Sequence, residues 1–210
     1  MEHKKLYLSK SLQWKNKEIV VEGPVLTEML HELRMHEDLK TFRQPKDQQR
    51  ALEEIASLPE GRIILARDSE MVIGYVTFHY PDEREPWSQG NMVDLIEFGA
   101  IEVVKTNRFL GLGKEMLRLS FANDQMENAI VFATEYYRYW DLHNNKLSVW
   151  EYRKMTENLL GCVDMIRYDT DDSEICSHPA NCLMVRIGKQ VPSTSIEQFD
   201  RLRFRKLLFE

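Results

Sequence analysis

The sequence has little cysteine. Three in 210 residues, Cys162, Cys176 and Cys182, cannot all pair within one chain, and such usage suits a reducing compartment. Long hydrophobic runs are missing as well. No uninterrupted apolar stretch approaches the roughly 18–20 residues of a membrane span. The charged opening Met1-Glu2-His3-Lys4-Lys5 is followed by no apolar signal core. These absences predict a cytoplasmic protein with no membrane partner. Positive charge is not in excess either. Asp and Glu number 34 against 28 Lys and Arg, a formal net charge of −6. That balance argues against nucleic acid, whose binders show a basic face. A basic protein segment or a cationic amine is the easier partner. Repeats and low-complexity tracts are also absent.

What is present is globular material, 43% hydrophobic and 30% charged. A chain this long buries about two-thirds to three-quarters of its unfolded surface, so no disulfide or metal is needed to hold its core. One domain, or one domain with an extension, is expected.

Residues 17–22 read as a short strand ended by Gly23 and Pro24. Thr27 is placed to cap a short helix through Met29, Leu30 and Leu33. Pro45 opens a second helix with Leu52, Ile55 and Leu58 near one face, stopped at residues 59–61. The period then becomes strand-like, and residues 62–66 and 71–78 form a hairpin. Residues 81–91 are a polar loop that contains Trp87. A long strand at 94–104 leads into a glycine-bearing turn at 107–113 and a helix at 112–126. A strand at 129–133 and an aromatic stretch at 136–140 follow. Ser148 caps a helix with Val149, Tyr152, Met155 and Leu159 at helical spacing, ended by Gly161. Two last strands at 162–168 and 181–187 surround an acidic loop, and 195–209 read as a C-terminal helix. Antiparallel hairpins with one strand–helix–strand unit make the class α+β, a mixed, mostly antiparallel sheet flanked by helices, with a C-terminal helical extension.

The chemistry sits where the long strand feeds Arg108-x-x-Gly111-x-Gly113 and a helix begins at the glycines. Glycines let the backbone approach a phosphate. The first-turn amides are unpaired, and the helix dipole favours an anion. Arg108 and Lys114 add positive charge. In its parts this is a pyrophosphate cradle. A P-loop is excluded, because it needs four residues between its glycines and then Lys-Ser/Thr. The dinucleotide fingerprint needs three glycines opening a parallel sheet, whereas here two follow a hairpin in mid-chain.

These residues resemble the GNAT acetyltransferase superfamily, whose coenzyme A loop has this form at the end of its fourth strand. The resemblance covers residues 17–168 in order of elements. It implies an acetyltransferase domain over 17–168, with the last strand and C-terminal helix in 169–210. It also implies acetyl-CoA as co-substrate, with no metal. The cofactor segment would comprise Ile101 and Val103 on the strand, then Arg108, Phe109, Leu110, Gly111, Leu112, Gly113 and Lys114. A closer resemblance spans essentially the full length through residues 94–103, 133–137, 149–154, 177–184, 186–189 and 195–204. It is to the branch of the superfamily that acetylates acetyl-CoA synthetase in acetoin and acetate metabolism. It implies a protein lysine N-acetyltransferase that binds that synthetase and switches it off.

Attack on a thioester needs a neutral amine, so a carboxylate must take the lysine proton directly or through water. Glu102 lies beside the cradle and is the first choice. Glu97 is kept because it stands eleven residues before Arg108, the spacing at which histone-type members of the superfamily carry their base. Glu97 and Glu102 are five apart, an odd number that puts them on opposite faces of an unbroken strand. The family's fourth strand often carries a bulge there, which shifts this parity. Tyr152 matches the start of the segment in which family members carry the acid for the departing thiolate, although here the glycine comes late, at Gly161. A packing tyrosine is the alternative.

Residues 136–140 form either a substrate wall or an aromatic cover for the sheet. Cys176-x-His178-x-x-x-Cys182 lacks the Cys-x-x-Cys spacing of a zinc knuckle, and Pro179 stiffens it, so a structured loop is expected rather than a metal site. Asp169, Asp171, Asp172 and Glu174 make a solvated loop or a landing patch for a basic target. The C-terminal helix, with Arg201, Arg203, Arg205 and Lys206, either packs on the domain or docks on the partner. Two other functions fit the same residues: acetylation of a small amine such as a polyamine, and non-catalytic binding of coenzyme A by a regulatory partner of the synthetase.

Overall fold

The computed structural model describes residues 3–14 and 17–205. The strands are β1 (Leu8–Trp14), β2 (Lys17–Gly23), β3 (Arg34–Met35), β4 (Arg62–Asp68), β5 (Met71–His79), β6 (Leu95–Val103), β7 (Ile130–Glu135), β8 (Ile166–Tyr168) and β9 (Cys182–Ile187). The helices are α1 (Thr27–Glu32), α2 (Pro45–Ser57), α3 (Leu112–Ser120), α4 (Leu142–Asn145), α5 (Val149–Leu160) and α6 (Ser193–Arg203). No helix among the described residues is long and apolar enough to cross a membrane. The expected mixed, mostly antiparallel sheet with flanking helices is what forms. The chain makes two compact units, residues 1–80 with 98–126, and residues 81–97 with 127–210.

In the first unit β1, β2, β4 and β5 follow one another as antiparallel neighbours, and β3 pairs in parallel with the start of β5. The later half of β6 lies beside β5, where the Val104 amide donates to the Ile73 carbonyl at 2.9 Å. β5 is buried without a break from Val72 to Phe78. That continuous run fits a strand covered on both faces, and both α2 and α3 pack against it. Pro45 occupies the first turn of α2, where its missing N–H loses nothing. The buried face of α2 is Gln48, Leu52 and Ala56, one amide among apolar groups. Thr27 does not cap α1. Leu26 takes that position without a side-chain bond, and the Thr27 hydroxyl donates to the Glu53 carbonyl at 3.4 Å. α3 ends at Ser120 rather than at Met126, because Phe121 leaves helical geometry and turns edge-on to Phe78, 5.8 Å between ring centres.

In the second unit the early half of β6 runs parallel to β7, pairing Leu95 with Ile130 and Glu97 with Phe132. β7 is antiparallel to β9, and β8 forms the outer edge. Trp87 is buried although the loop around it is polar. It lies in a 3-10 turn at Pro86–Gly90 and packs on Phe132 and Phe199, 5.1 and 6.2 Å away between ring centres. α6 belongs to this core. Phe199 and Leu202 bury in it, and each such side chain contributes roughly 1.5–3 kcal/mol. Gln198 donates to the Gly90 carbonyl at 2.7 Å and Arg205 to Gln89 Oε1 at 2.6 Å. The part of the expected C-terminal helix beyond Arg205, with Lys206, lies outside the described residues. α5 carries the full capping box of Ser148 and Glu151. Gly161 does not end it in a left-handed turn. A 3-10 turn at Gly161–Val163 tightens the end, and Asp164 takes the positive φ of 63°.

Candidate active site

The motif residues converge at the end of β6. After Val103 the chain makes a 3-10 turn, Lys105–Leu110, that holds the backbone of Phe109 and Leu110, whose side chains lie outside the description. Gly111 then reverses the chain at φ 73° and serves as N-cap of α3, its carbonyl accepting the Glu115 amide at 3.1 Å. An L side chain there would cost about 1–2 kcal/mol in backbone strain. A Cβ at Gly111 would meet no atom within 4 Å among the described residues, its chain neighbours aside. The backbone is therefore open to a ligand at the point where the α3 amides are unpaired and the dipole is positive.

Arg108 Nε donates to the Val103 carbonyl at 3.1 Å, which ties the turn to the strand it leaves. Leu112, Met116 and Leu117 bury one side of α3, while Lys114 is exposed in its first turn. Ile101 and Val103 are half-buried on either side of the buried Glu102, the alternation of a strand. These groups can hold a pyrophosphate by backbone amides and two cations.

Glu102 is 4% exposed. Its Oε1 accepts the Thr41 amide at 2.9 Å and its Oε2 the Tyr75 hydroxyl at 2.8 Å. Burial, reinforced by this carboxylate, pushes the Tyr75 phenol well above its usual range. The sequence reading missed Thr41 and Tyr75. Tyr75 sits in an apolar run that reads as core, and nothing local marks Thr41 as a donor to a residue 61 positions away.

Glu97, in the second unit, is in a different state. Burial pushes its carboxyl up to about 8, and the nearby charges of Glu85 and Asp82 add to the effect. Tyr152 is stacked on Trp140, 5.0 Å between ring centres and 17° between planes. Trp140 Nε1 in turn donates to Glu135 Oε2 at 2.9 Å. Burial raises Glu135 to about 7 against the lowering effect of that bond. Tyr152 thus lies in an aromatic and acidic cluster that the sequence reading did not assemble.

The remaining candidates make the following contacts. Arg138 lies over the rings of Tyr136 and Tyr139. Tyr137 stacks on His178 at 3.9 Å, and His178 Nδ1 accepts the Ala180 amide. No three His, Cys, Asp or Glu gather as metal ligands among the described residues. Cys162 is half-buried, Cys176 exposed and Cys182 buried. In the acidic loop Asp172 Oδ1 accepts the amides of Glu174 and Ile175, and Asp171 accepts that of Arg205.

No protein-family model matches the chain. It is 53% identical over 204 residues to the acetoin utilization protein AcuA of Bacillus subtilis (strain 168), covering 97% of each chain. The crystal structure of an acetoin utilization protein from Exiguobacterium sibiricum 255-15 has 44% identity and a TM-score of 0.94, covering 99% of both chains. An acetyltransferase of the GNAT family from Streptococcus pneumoniae shares the fold at a TM-score of 0.51 and 12% identity, covering 80% of this chain and 98% of that one. The chain belongs to the family of the acetoin utilization protein AcuA, built on the fold of the GNAT N-acetyltransferases.

Proposed function

We propose that this protein transfers the acetyl group of acetyl-CoA to a lysine of acetyl-CoA synthetase in the cytoplasm and so switches that enzyme off. The observation that carries the cofactor assignment is Gly111, left-handed and open on its outer side at the start of α3. Arg108 and Lys114 would neutralise the pyrophosphate, and the strand edge at Ile101 and Val103 would border the path of the acyl arm. The amine nitrogen of the lysine attacks the thioester carbonyl, the C–S bond breaks and an amide forms. One proton leaves the amine, and the departing thiolate takes one up.

For the base we propose Glu97, because a carboxyl raised to about 8 gives up or takes a proton near neutrality. Glu102 already accepts one donor on each oxygen, which suits it to holding the chain in place. Tyr152 is the proposed acid toward the thiolate. The acetyl-CoA synthetase target and the link to acetate metabolism rest on the sequence resemblance, and the link to acetoin on the name that the relatives carry.

The test is incubation with isotope-labelled acetyl-CoA and the synthetase, followed by mass spectrometry and a synthetase assay. Label on one lysine with parallel loss of synthetase activity is expected. Loss of activity without label would instead favour a binding partner that does no chemistry.

A further inference from the structure

The first unit contains a cavity of about 560 Å³ between α2, the residues just before it, the end of β5 and the middle of β6. That is the size range of small-molecule and side-chain sites. Gln48 lines it, is 3% exposed, and its Oε1 has no hydrogen-bond partner among the described residues. A buried amide oxygen without a donor is unfavourable, so an N–H or O–H donor entering the cavity would remove a standing penalty.

A second acceptor faces the same space. His79 Nδ1 is 2.6 Å from the Tyr80 carbonyl, which can only accept, so Nδ1 donates, and the tautomer that this bond selects leaves Nε2 as an acceptor. Gly99 keeps that nitrogen accessible. A Cβ at Gly99 would come within 2.3 Å of His79 Nε2 and 2.9 Å of Thr77 Oγ1.

The other walls set the rest of the ligand. Phe42, Ala51, Ile55 and Leu58 offer apolar surface suited to an alkyl chain. Arg43 and Glu54 oppose each other in sign, so the cavity has no net charge to select an anion. The wall at residues 41–43 is fixed by the bond from the Thr41 amide to Glu102, which makes Glu102 a positioning residue for this space.

We propose that the cavity receives the acceptor substrate as a primary amine on an alkyl stem, with Gln48 Oε1 accepting one of its N–H bonds. This rests on the acetyl-transfer reading above. A protein lysine and a small polyamine share that chemistry, so both are probed. The full chain is titrated with an Nα-blocked lysine amide and, separately, with spermidine, following the Gln48 side-chain amide resonances by NMR. Acetylation kinetics of the same amines are then compared for wild type, Gln48→Leu and Ala51→Leu.

The lysine probe is expected to shift the Gln48 resonances. Gln48→Leu should raise its KM about tenfold, the loss of one hydrogen bond, with acetyl-CoA affinity unchanged. Ala51→Leu, which narrows the cavity and leaves the Gln48 amide in the chain, should raise KM as well. If neither amine moves the Gln48 resonances while wild type turns over, the site is overturned and acetyl transfer stands. A folded Gln48→Leu with unchanged KM overturns the site too. Shifted Gln48 resonances in a wild type that acetylates no amine uphold the site and reject the acetyl-transfer reading. A stronger response to spermidine upholds the site and moves its source from protein lysine to polyamine. Should Gln48→Leu not fold, the wild-type titration decides alone.

Discussion

Glu97 and Glu102 stand on one strand, five residues apart, in contrasting surroundings. Glu102 is buried with a backbone amide and a phenol aimed at its two oxygens. Glu97 is half-buried with Glu85 and Asp82 nearby, and its carboxyl is pushed up to about 8. Both positions lose water, so burial alone does not separate them. The donors do. A carboxylate supplied with donors becomes a fixed strut, whereas one desolvated beside like charges becomes a group that exchanges a proton near neutrality.

The largest effect should come from Glu97→Gln. Removing a general base typically lowers turnover by about 10²–10⁴-fold, and acetyl-CoA affinity measured by calorimetry should stay as in wild type. Wild-type turnover should climb as pH rises toward about 8, where Glu97 loses its proton, and level off above it. The mutant should lack that inflection. Equal loss in Glu102→Gln, with the inflection intact in Glu97→Gln, would reverse the assignment.

Gly111→Glu separates binding from proton transfer. It places an L residue at a φ of 73° and a negative charge at an anion site. Acetyl-CoA affinity should fall about tenfold or more, while backbone strain lowers the thermal unfolding midpoint by only about 2–8 °C and the protein stays folded. Unchanged affinity would remove the cradle from the account.

Glu102→Gln should act on stability. The amide keeps only one acceptor oxygen, so either the Thr41 amide or the Tyr75 hydroxyl loses its acceptor, at about 1–3 kcal/mol. Denaturant unfolding should show that loss, with turnover at saturating amine nearly unchanged. A fully stable mutant would mean that the Thr41 and Tyr75 bonds do not hold the wall.

The smallest effect concerns pH and folding. The folded value of Glu97 lies above its ordinary carboxylate value. Its contribution is therefore fully present at pH below the unfolded value and is lost as pH rises toward about 8. Glu97→Gln should flatten the wild-type decline in unfolding temperature across that window. Parallel curves would place Glu97 in ordinary solvent.

Much of the fold was legible because its signals are local. Pro45 opened α2, Ser148 marked the start of α5, and the turn before α3 was marked by its glycines. The burial of Trp87 was not legible, because Phe132 and Phe199, on which it packs, are distant in sequence. β1 went unread. Its sequence is polar and mostly exposed, and it exists as a strand through its pairing with β2. The cradle was legible as a motif. The partners of Glu102, the stacking of Tyr152 on Trp140 and the unpaired Gln48 were not, since each depends on residues brought together from separate segments.

The most direct test of the account pairs wild type with Glu97→Gln and Glu102→Gln, each given labelled acetyl-CoA and acetyl-CoA synthetase, with label on the synthetase lysines counted by mass spectrometry across pH. The account predicts labelling by wild type that rises toward about pH 8, near-wild-type labelling at saturating synthetase by Glu102→Gln, and about 10²–10⁴-fold less by Glu97→Gln. Wild type that binds acetyl-CoA but labels no lysine, or full labelling by Glu97→Gln, would contradict it.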